Sequence, residues 1–192
     1  KYKIKVVSII DNILYENGLD YYTFDVWIND ELIKENISFY EDEVSNNTKV
    51  RIKTNIKEGI ETEIIDVGNL DIRGCIACGS CFKTGKCVFN DIVNEVSAKF
   101  EQADGLVVGS PVYYSSPNGT LISFLDRLFY SSRCDKRMKV GAAVVSCRRG
   151  GNTASFDVLN KYFTISQMPI ASSRYWNMVH GSKPEDVLKD EE

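Results

Sequence analysis

Gly105-Leu-Val-Val-Gly109, followed at once by Ser110-Pro-Val-Tyr-Tyr114 (GLVVGSPVYY, residues 105–114), is a short apolar run closed by glycines that leads into a proline and two aromatic rings. An apolar run of this length without polar alternation reads as a strand buried on both faces, as strands of parallel sheets do. Before it, Asp91 to Ala103 carries Ile92, Val93, Val96 and Phe100 close to helical spacing, with Asp91 placed to cap. After it, Thr120 to Tyr130 is a second helix with Leu121, Phe124, Leu125 and Leu128 on one side. Val140-Gly-Ala-Ala-Val-Val-Ser146 is another buried strand, and Thr153 to Phe163 repeats the helical pattern through Phe156, Leu159 and Phe163. Glu63 to Val67 reads as a short strand after Gly59, and Pro169 to Tyr175 as the last one. Such alternation predicts an α/β fold whose parallel sheet is covered on both faces. Ligands of such sheets bind beyond the carboxyl ends of the strands, near the switch in strand order. The residues at those ends are Ser110 to Tyr114 and Ser146 to Thr153.

Residues 1–55 differ in character. Tyr2 to Ile10 reads as a strand of the same sheet, but Tyr21 to Asn29, Leu32 to Tyr40 and Lys49 to Lys53 read as strands of alternating character. Asn29-Asp30 and Asn46-Asn47 supply turns between them. The expected organisation is a β-rich appendage or insertion over residues 1–55 and an α/β domain over residues 56–192, with both chain ends reading as incomplete and a terminal helix expected beyond Glu192.

The chain has 192 residues, 43% hydrophobic and 26% charged, the composition of an ordinary globular protein. Its net charge of −4 provides no electrostatic footprint for nucleic acid or an anionic membrane. No apolar run approaches the ~18 residues of a spanning helix, and no signal-peptide pattern opens the chain. The expectation is a cytoplasmic protein whose thiols are kept reduced.

Four of the six cysteines, Cys75, Cys78, Cys81 and Cys87, fall in one fourteen-residue stretch of the form C-x2-C-x2-C-x5-C. Compact runs of this kind resemble iron–sulfur ligand sets more than zinc fingers, which use two separated C-x2-C knuckles. A zinc site with four thiolates and a set of reduced thiols without metal are the alternatives. Cys134 and Cys147 read as single structural thiols, and His180, the only histidine, as a structural or surface residue. No residue stands out as catalytic.

The two strand-end segments permit a ligand. In Ser110-Pro-Val-Tyr-Tyr114 and Pro117-Asn-Gly119, the prolines hold the backbone out of helix and sheet, leaving amides and tyrosine rings to face a flat molecule. In Cys147-Arg-Arg-Gly-Gly-Asn-Thr153, the glycines let the backbone approach an anion at a helix N-terminus. An ordinary loop with surface tyrosines and a solvated basic turn are the plain alternatives.

Together, Arg73 to Cys81, Thr84 to Asn90, Gly109 to Tyr114, Asn118 to Arg127, Arg148 to Thr153, Asn160 to Pro169 and Tyr175 to Gly181 resemble the NADPH-dependent FMN reductase and iron–sulfur flavoprotein family of flavodoxin-like proteins. The resemblance implies a flavodoxin-like three-layer parallel sheet binding FMN. It implies an oxidoreductase that takes electrons from NAD(P)H and passes them to a small acceptor. By position, Ser110, Pro111, Val112, Tyr113, Tyr114, Asn118 and Gly119 would border the flavin and its ribityl chain. Cys147, Arg148, Arg149, Gly150 and Gly151 would lie against its ring. Cys75, Cys78, Cys81 and Cys87 would hold a [4Fe–4S] centre. A homodimer or tetramer is implied as well, with neither nucleic acid nor membrane as partner.

One segment departs from the family. A phosphate loop resembling Gly-Ser-Pro-Arg-Lys-x-Gly-Asn-Thr should follow the first strand, whereas Asp11-Asn-Ile-Leu-Tyr-Glu-Asn17 follows here. Its glycines and basic residues are missing, and Asp11 and Glu16 would repel a phosphate. Arg148 to Thr153 could take the phosphate instead. The competing reading is a non-enzymatic binding or scaffold protein on a flavodoxin-like fold that has lost this loop, with Tyr21, Tyr22, Phe24 and Trp27 as anchors.

Overall fold

Strand β1 (Ile4–Ile10) runs through the middle of the sheet, between β6 (Ile60–Asp66) and β7 (Gly105–Tyr113), and β9 (Val140–Ser146) lines the far side of β7. The computed structural model describes residues 4–10, 26–28, 31–34, 38–40, 51–53 and 60–172, and the single positions Trp176, Met178 and His180. β1 pairs with β7 in parallel from Val6↔Gly105 to Ile10↔Gly109, and β7 pairs with β9 in parallel from Gly105↔Val140 to Pro111↔Ser146. Ile170 adds a parallel bridge to Gly141 at the outer side of β9. Counting strands of this sheet in chain order gives 2-1-3-4 with Ile170 at the place of a fifth, which is the flavodoxin-like winding. The fold is therefore flavodoxin-like α/β. β1, expected only as a member of the sheet, occupies the position flanked by both switching neighbours.

The chain divides into two compact units, one formed by residues 2–14 and 61–171, the other by residue 1, residues 15–60 and residues 172–192. Within the second unit, β2 (Val26–Ile28) pairs antiparallel with β3 (Glu31–Lys34), and β4 (Ser38–Tyr40) with β5 (Arg51–Lys53). β2 and β5 fall in the stretches read as strands, Tyr21 to Asn29 and Lys49 to Lys53, whereas Leu32 to Tyr40, read as one strand, holds two with different partners, β3 and β4. The Asn29-Asp30 and Asn46-Asn47 turns, the Asp11–Asn17 segment, Tyr21, Tyr22, Phe24, the Trp27 side chain, residues 173–175 and the acidic tail lie outside the described residues.

In the first unit, the one-turn helix α1 (Ser80–Thr84) precedes three longer helices, α2 (Ile92–Gln102), α3 (Gly119–Ser131) and α4 (Asn152–Ile165). The three form one row. Phe129 of α3 meets Phe100 of α2 at 5.7 Å between ring centres and Tyr162 of α4 at 5.2 Å. Beneath them Val93, Val96 and Phe100, then Leu121, Phe124, Leu125 and Leu128, then Leu159 and Phe163 are buried with Leu106 and Val108 of β7. Each such side chain contributes roughly 1.5–3 kcal/mol by leaving water. Gly141 sets the height of α4 above the sheet, since a Cβ there would stand 2.5 Å from the Phe163 ring. Asp91 caps α2 as expected, its carboxylate accepting from the Val93 amide at 3.2 Å.

One segment differs from expectation. Ser110 to Tyr113 continue β7 rather than forming a loop, and the segment turns back through β8 (Ser116–Pro117) in a hairpin. The reason is pairing: β9 holds β7 as far as Pro111↔Ser146, and β8 takes over at Val112↔Pro117. Pro111 lies two residues past Gly109, the last residue of β7 that β1 pairs, where among the described residues no strand on that side calls on its missing N–H. Pro169 to Tyr175 is described only as far as Ser172, and within it Ile170 makes the single bridge to Gly141.

Candidate functional site

The carboxyl ends of β1 and β7 lie side by side where the chain reverses its winding, the position at which such sheets bind ligands. Beyond it, Ser110 is 2% exposed, and its hydroxyl accepts from the Asn118 amide at 3.0 Å while donating to the Pro111 carbonyl at 2.8 Å. Asn118 in turn caps α3, its side chain accepting from the Thr120 amide at 2.8 Å. Ser110 thus locks the start of α3 to the end of β7. The hairpin between them closes on Tyr114 and Ser115, whose φ values are +51° and +58°. Two left-handed residues make a two-residue turn of the kind usually given to Asn-Gly, and non-glycine residues there carry strain. The strain presents Tyr114, whose ring is fully exposed.

The β9–α4 loop meets that hairpin. Gly151 sits at φ +89°, and a Cβ on it would fall 2.9 Å from Ser115 Cα and 2.7 Å from its Oγ, so only glycine permits this approach. A Cβ on Gly150 would meet nothing within 4 Å, so its backbone faces open space. Arg148 and Arg149 are exposed, Cys147 is half-buried, and no side chain caps α4. The two segments singled out in the sequence therefore come together at Ser115 and Gly151. Ser110, Pro111, Val112 and Tyr113 sit on a strand, Tyr114 on the hairpin tip, Asn118 and Gly119 at the start of α3. These groups suit a flat ligand with an anionic tail: a stacking ring, open glycine backbone, two cations and an uncapped helix start.

The cysteine stretch lies between β6 and α2 and packs against α3. All four of its thiols are free, Cys75 and Cys78 exposed, Cys81 and Cys87 half-buried. Left-handed backbone at Ala77 and Gly79 curls the loop, and the Ala77 amide points back to Cys75 Sγ at 3.5 Å. The Cys78 thiol donates to the Ser80 hydroxyl at 3.4 Å, and its hydrogen bonding with the Ser80 side chain, then with the Ser80 backbone, holds its pKa below the ordinary value. Among the described residues no three His, Cys, Asp or Glu side chains stand together as a single metal ion needs. In kind, the donor set of four cysteine thiols fits an iron–sulfur cluster, which takes four thiolate ligands.

Cys87 is held from two sides. Asn94 accepts from its amide at 2.9 Å and donates to its carbonyl at 3.0 Å and to the Phe89 carbonyl at 2.9 Å. Arg127 donates from Nε to Cys87 Sγ at 3.3 Å, from Nη1 to the Arg73 carbonyl at 3.2 Å, and to both Asp91 oxygens at 2.7 and 2.8 Å. The Arg127 side chain is fully buried. Burial works against its charge, yet the hydrogen bonds to Asp91 and to Cys87 outweigh it and hold the guanidinium above its ordinary value. Phe89 stacks under Arg127 at 4.9 Å and Arg73 at 4.8 Å. At the end of α3, Arg133 gives two more bonds to the Cys81 carbonyl, at 3.0 and 3.3 Å. Sequence reading did not single out Arg127, Asn94 or Arg133 for this loop. The available signal was Arg127's place three residues after Phe124, on the apolar side of α3, where a charge needs a buried partner. Nothing in the pattern marks Asn94 or Arg133. Cys134 is half-buried against the core and His180 is exposed, in the other unit.

Among the described residues no helix is long and apolar enough to cross a membrane. Residues 42–183 match the family described as NADPH-dependent FMN reductase. The chain is similar to an iron–sulfur flavoprotein of Methanocaldococcus jannaschii, 33% identical over 147 residues that cover 70% of this chain and 74% of that protein. It is also similar to an iron–sulfur flavoprotein of Methanosarcina thermophila, 28% identical over 138 residues, 69% of this chain and 72% of the relative. Among solved structures it is similar to a flavodoxin from the domain Archaea, at 14% identity and a TM-score of 0.42, covering 68% of this chain and 70% of that one.

Proposed function

This chain belongs to the NADPH-dependent FMN reductase family, and we propose that it takes electrons from NAD(P)H onto FMN and hands them to a small acceptor by way of an iron–sulfur cluster. The family makes it an FMN-dependent oxidoreductase. The nucleotide donor, the cluster and the small acceptor belong to the proposal. Bound FMN supplies hydride acceptance and single-electron release. The observation that carries the reading is the closure of the β7–β8 hairpin on the β9–α4 loop at Ser115 and Gly151, beside the switch in strand order.

The chain's own residues then have distinct tasks. Ser110 and Asn118 fix the start of α3 against β7, which keeps the hairpin at one height. Tyr114, exposed on its strained turn, stacks on the ring system. Gly150 and Gly151 allow backbone amides to approach it, and Arg148 and Arg149 with the start of α4 attract the phosphate that Asp11 to Asn17 is unsuited to bind. Cys75, Cys78, Cys81 and Cys87 hold a [4Fe–4S] cluster, and the protein works as a homodimer or tetramer. The curated relatives named iron–sulfur flavoproteins support the cluster reading.

The test is to purify the chain without oxygen, record its visible spectrum, assay iron and sulfide, and add NADH or NADPH anaerobically. Flavin absorption that bleaches with a nicotinamide nucleotide, together with stoichiometric iron and sulfide, is the expected result. Failure to bind added FMN would refute the reading. That outcome would favour the scaffold alternative, which draws on the family match beginning at residue 42, after β1 and the segment where the phosphate loop should stand.

A further inference from the structure

The four cysteines are not equally held. Cys75 and Cys78 stand exposed, whereas Cys87 has its amide and carbonyl bound by Asn94 and its sulfur bound by Arg127. Arg127 is itself immobilised by two bonds to Asp91, one to the Arg73 carbonyl and the face of Phe89. We propose that Arg127 is the positioning residue of the cluster site: through its Nε–H···Sγ hydrogen bond it presents Cys87 as the one pre-oriented ligand and raises the reduction potential of the cluster that Cys87 helps to hold.

A guanidinium with no exposed surface has lost its water and keeps its charge only by filling its donors, and one of them is spent on sulfur. Asp91 satisfies the two Nη groups, which leaves Nε aimed at Cys87 with no freedom to turn away. Reduction adds negative charge to a cluster, and that charge spreads onto the ligand sulfurs. A cationic N–H donor on one of them therefore stabilises the reduced form more than the oxidised form, so the potential rises. Pinning one ligand also means that assembly starts from a fixed point, with the looser Cys75 and Cys78 closing round it.

This inference rests on the cluster reading above, and the test separates the two. Wild type, R127K and D91N are reconstituted with iron and sulfide, and three quantities are measured: the rate of iron loss to a chelator, the midpoint potential and the melting temperature. Lysine keeps the charge but cannot serve Asp91 and Sγ together. Asparagine keeps the cap of α2 but offers the Nη groups one acceptor oxygen instead of two, so it loosens Arg127 without removing its Nε–H. The expected result is that R127K loses iron at least several-fold faster than wild type and titrates at a lower potential, while D91N shifts both in the same direction by less and lowers the melting temperature. R127K with wild-type iron loss and potential would overturn the proposal, leaving Arg127 a strut between α2 and α3. A readout independent of any variant is the order of alkylation in the metal-free wild type, followed by mass spectrometry. Cys75 and Cys78 should label first and Cys87 last, and early labelling of Cys87 would overturn the contact on which the proposal stands. A wild type that takes up no iron and sulfide removes the cluster and Arg127's role toward it, while slow labelling of Cys87 would still uphold the contact itself.

Discussion

Tyr162 shows how one side chain makes stability depend on pH. Its hydroxyl donates to Asp126 at 2.6 Å across α3 and α4. Burial, then the hydrogen bond to Asp126, raises its pKa well above the ordinary value of 10.0. A raised value means that the contribution is fully present below about pH 10 and is lost as pH rises beyond it, because the unfolded chain ionises first. Y162F should cost about 1–3 kcal/mol near neutrality. The gap between the two proteins in urea unfolding should narrow above about pH 10, and a gap that widened there would contradict the assignment. Arg127 is a buried charge with a partly exposed partner: R127M leaves Asp91 without its guanidinium but still capping α2, and should lower stability by about 1–3 kcal/mol in urea unfolding. At Gly151, G151A meets both a left-handed backbone and the Ser115 chain. It should cost roughly 1–3 kcal/mol and weaken FMN binding, measured by flavin fluorescence.

At the level of elements, the hairpin that ends β7 trades stability for exposure. Tyr114-Ser115 occupies a turn that Asn-Gly would fill without strain. The double change Y114N/S115G should therefore stabilise the chain by about 1–3 kcal/mol in chemical unfolding and bind FMN more weakly. Equal or tighter binding would show that the Tyr114 ring does not stack on the ligand. The same hairpin marks the limit of periodicity as a guide. Gly105 to Gly109 announces a buried strand, but whether Ser110 to Tyr113 continues it depends on partners at Ser146 and Pro117, which are remote or turn back. α2, α3 and α4 were legible because Val96 and Phe100, Phe124 and Leu128, and Leu159 and Phe163 each stand four residues apart, at helical spacing. The packing of α4 was not, since nothing around Gly141 announces the Phe163 ring 22 residues away. G141A would press a methyl into that ring and should cost about 1–3 kcal/mol, seen as a lower melting temperature.

For the molecule as a whole, ligand binding and stability are coupled. If FMN binds the folded chain alone, flavin at 100 times its dissociation constant should stabilise it by about 2.7 kcal/mol, raising the melting temperature. No shift would mean no site. Much of the first unit is legible in the order of residues alone: β6, β7 as far as Gly109, β9 and the helices α2, α3 and α4, the two segments at the strand ends, the four cysteines and the family, but not α1 or β8. Apolar spacing, caps and residue types are local properties, and a chain carries local properties in its order. What only the tertiary structure decided was which groups meet: β1 between β6 and β7, Gly151 on Ser115, Asn94 and Arg127 on Cys87. Arg127 reaches Cys87 across 40 residues of chain, and such a pair is chosen by the packing of α2 against α3 and the need of a buried guanidinium for partners, neither of which any single stretch of sequence contains.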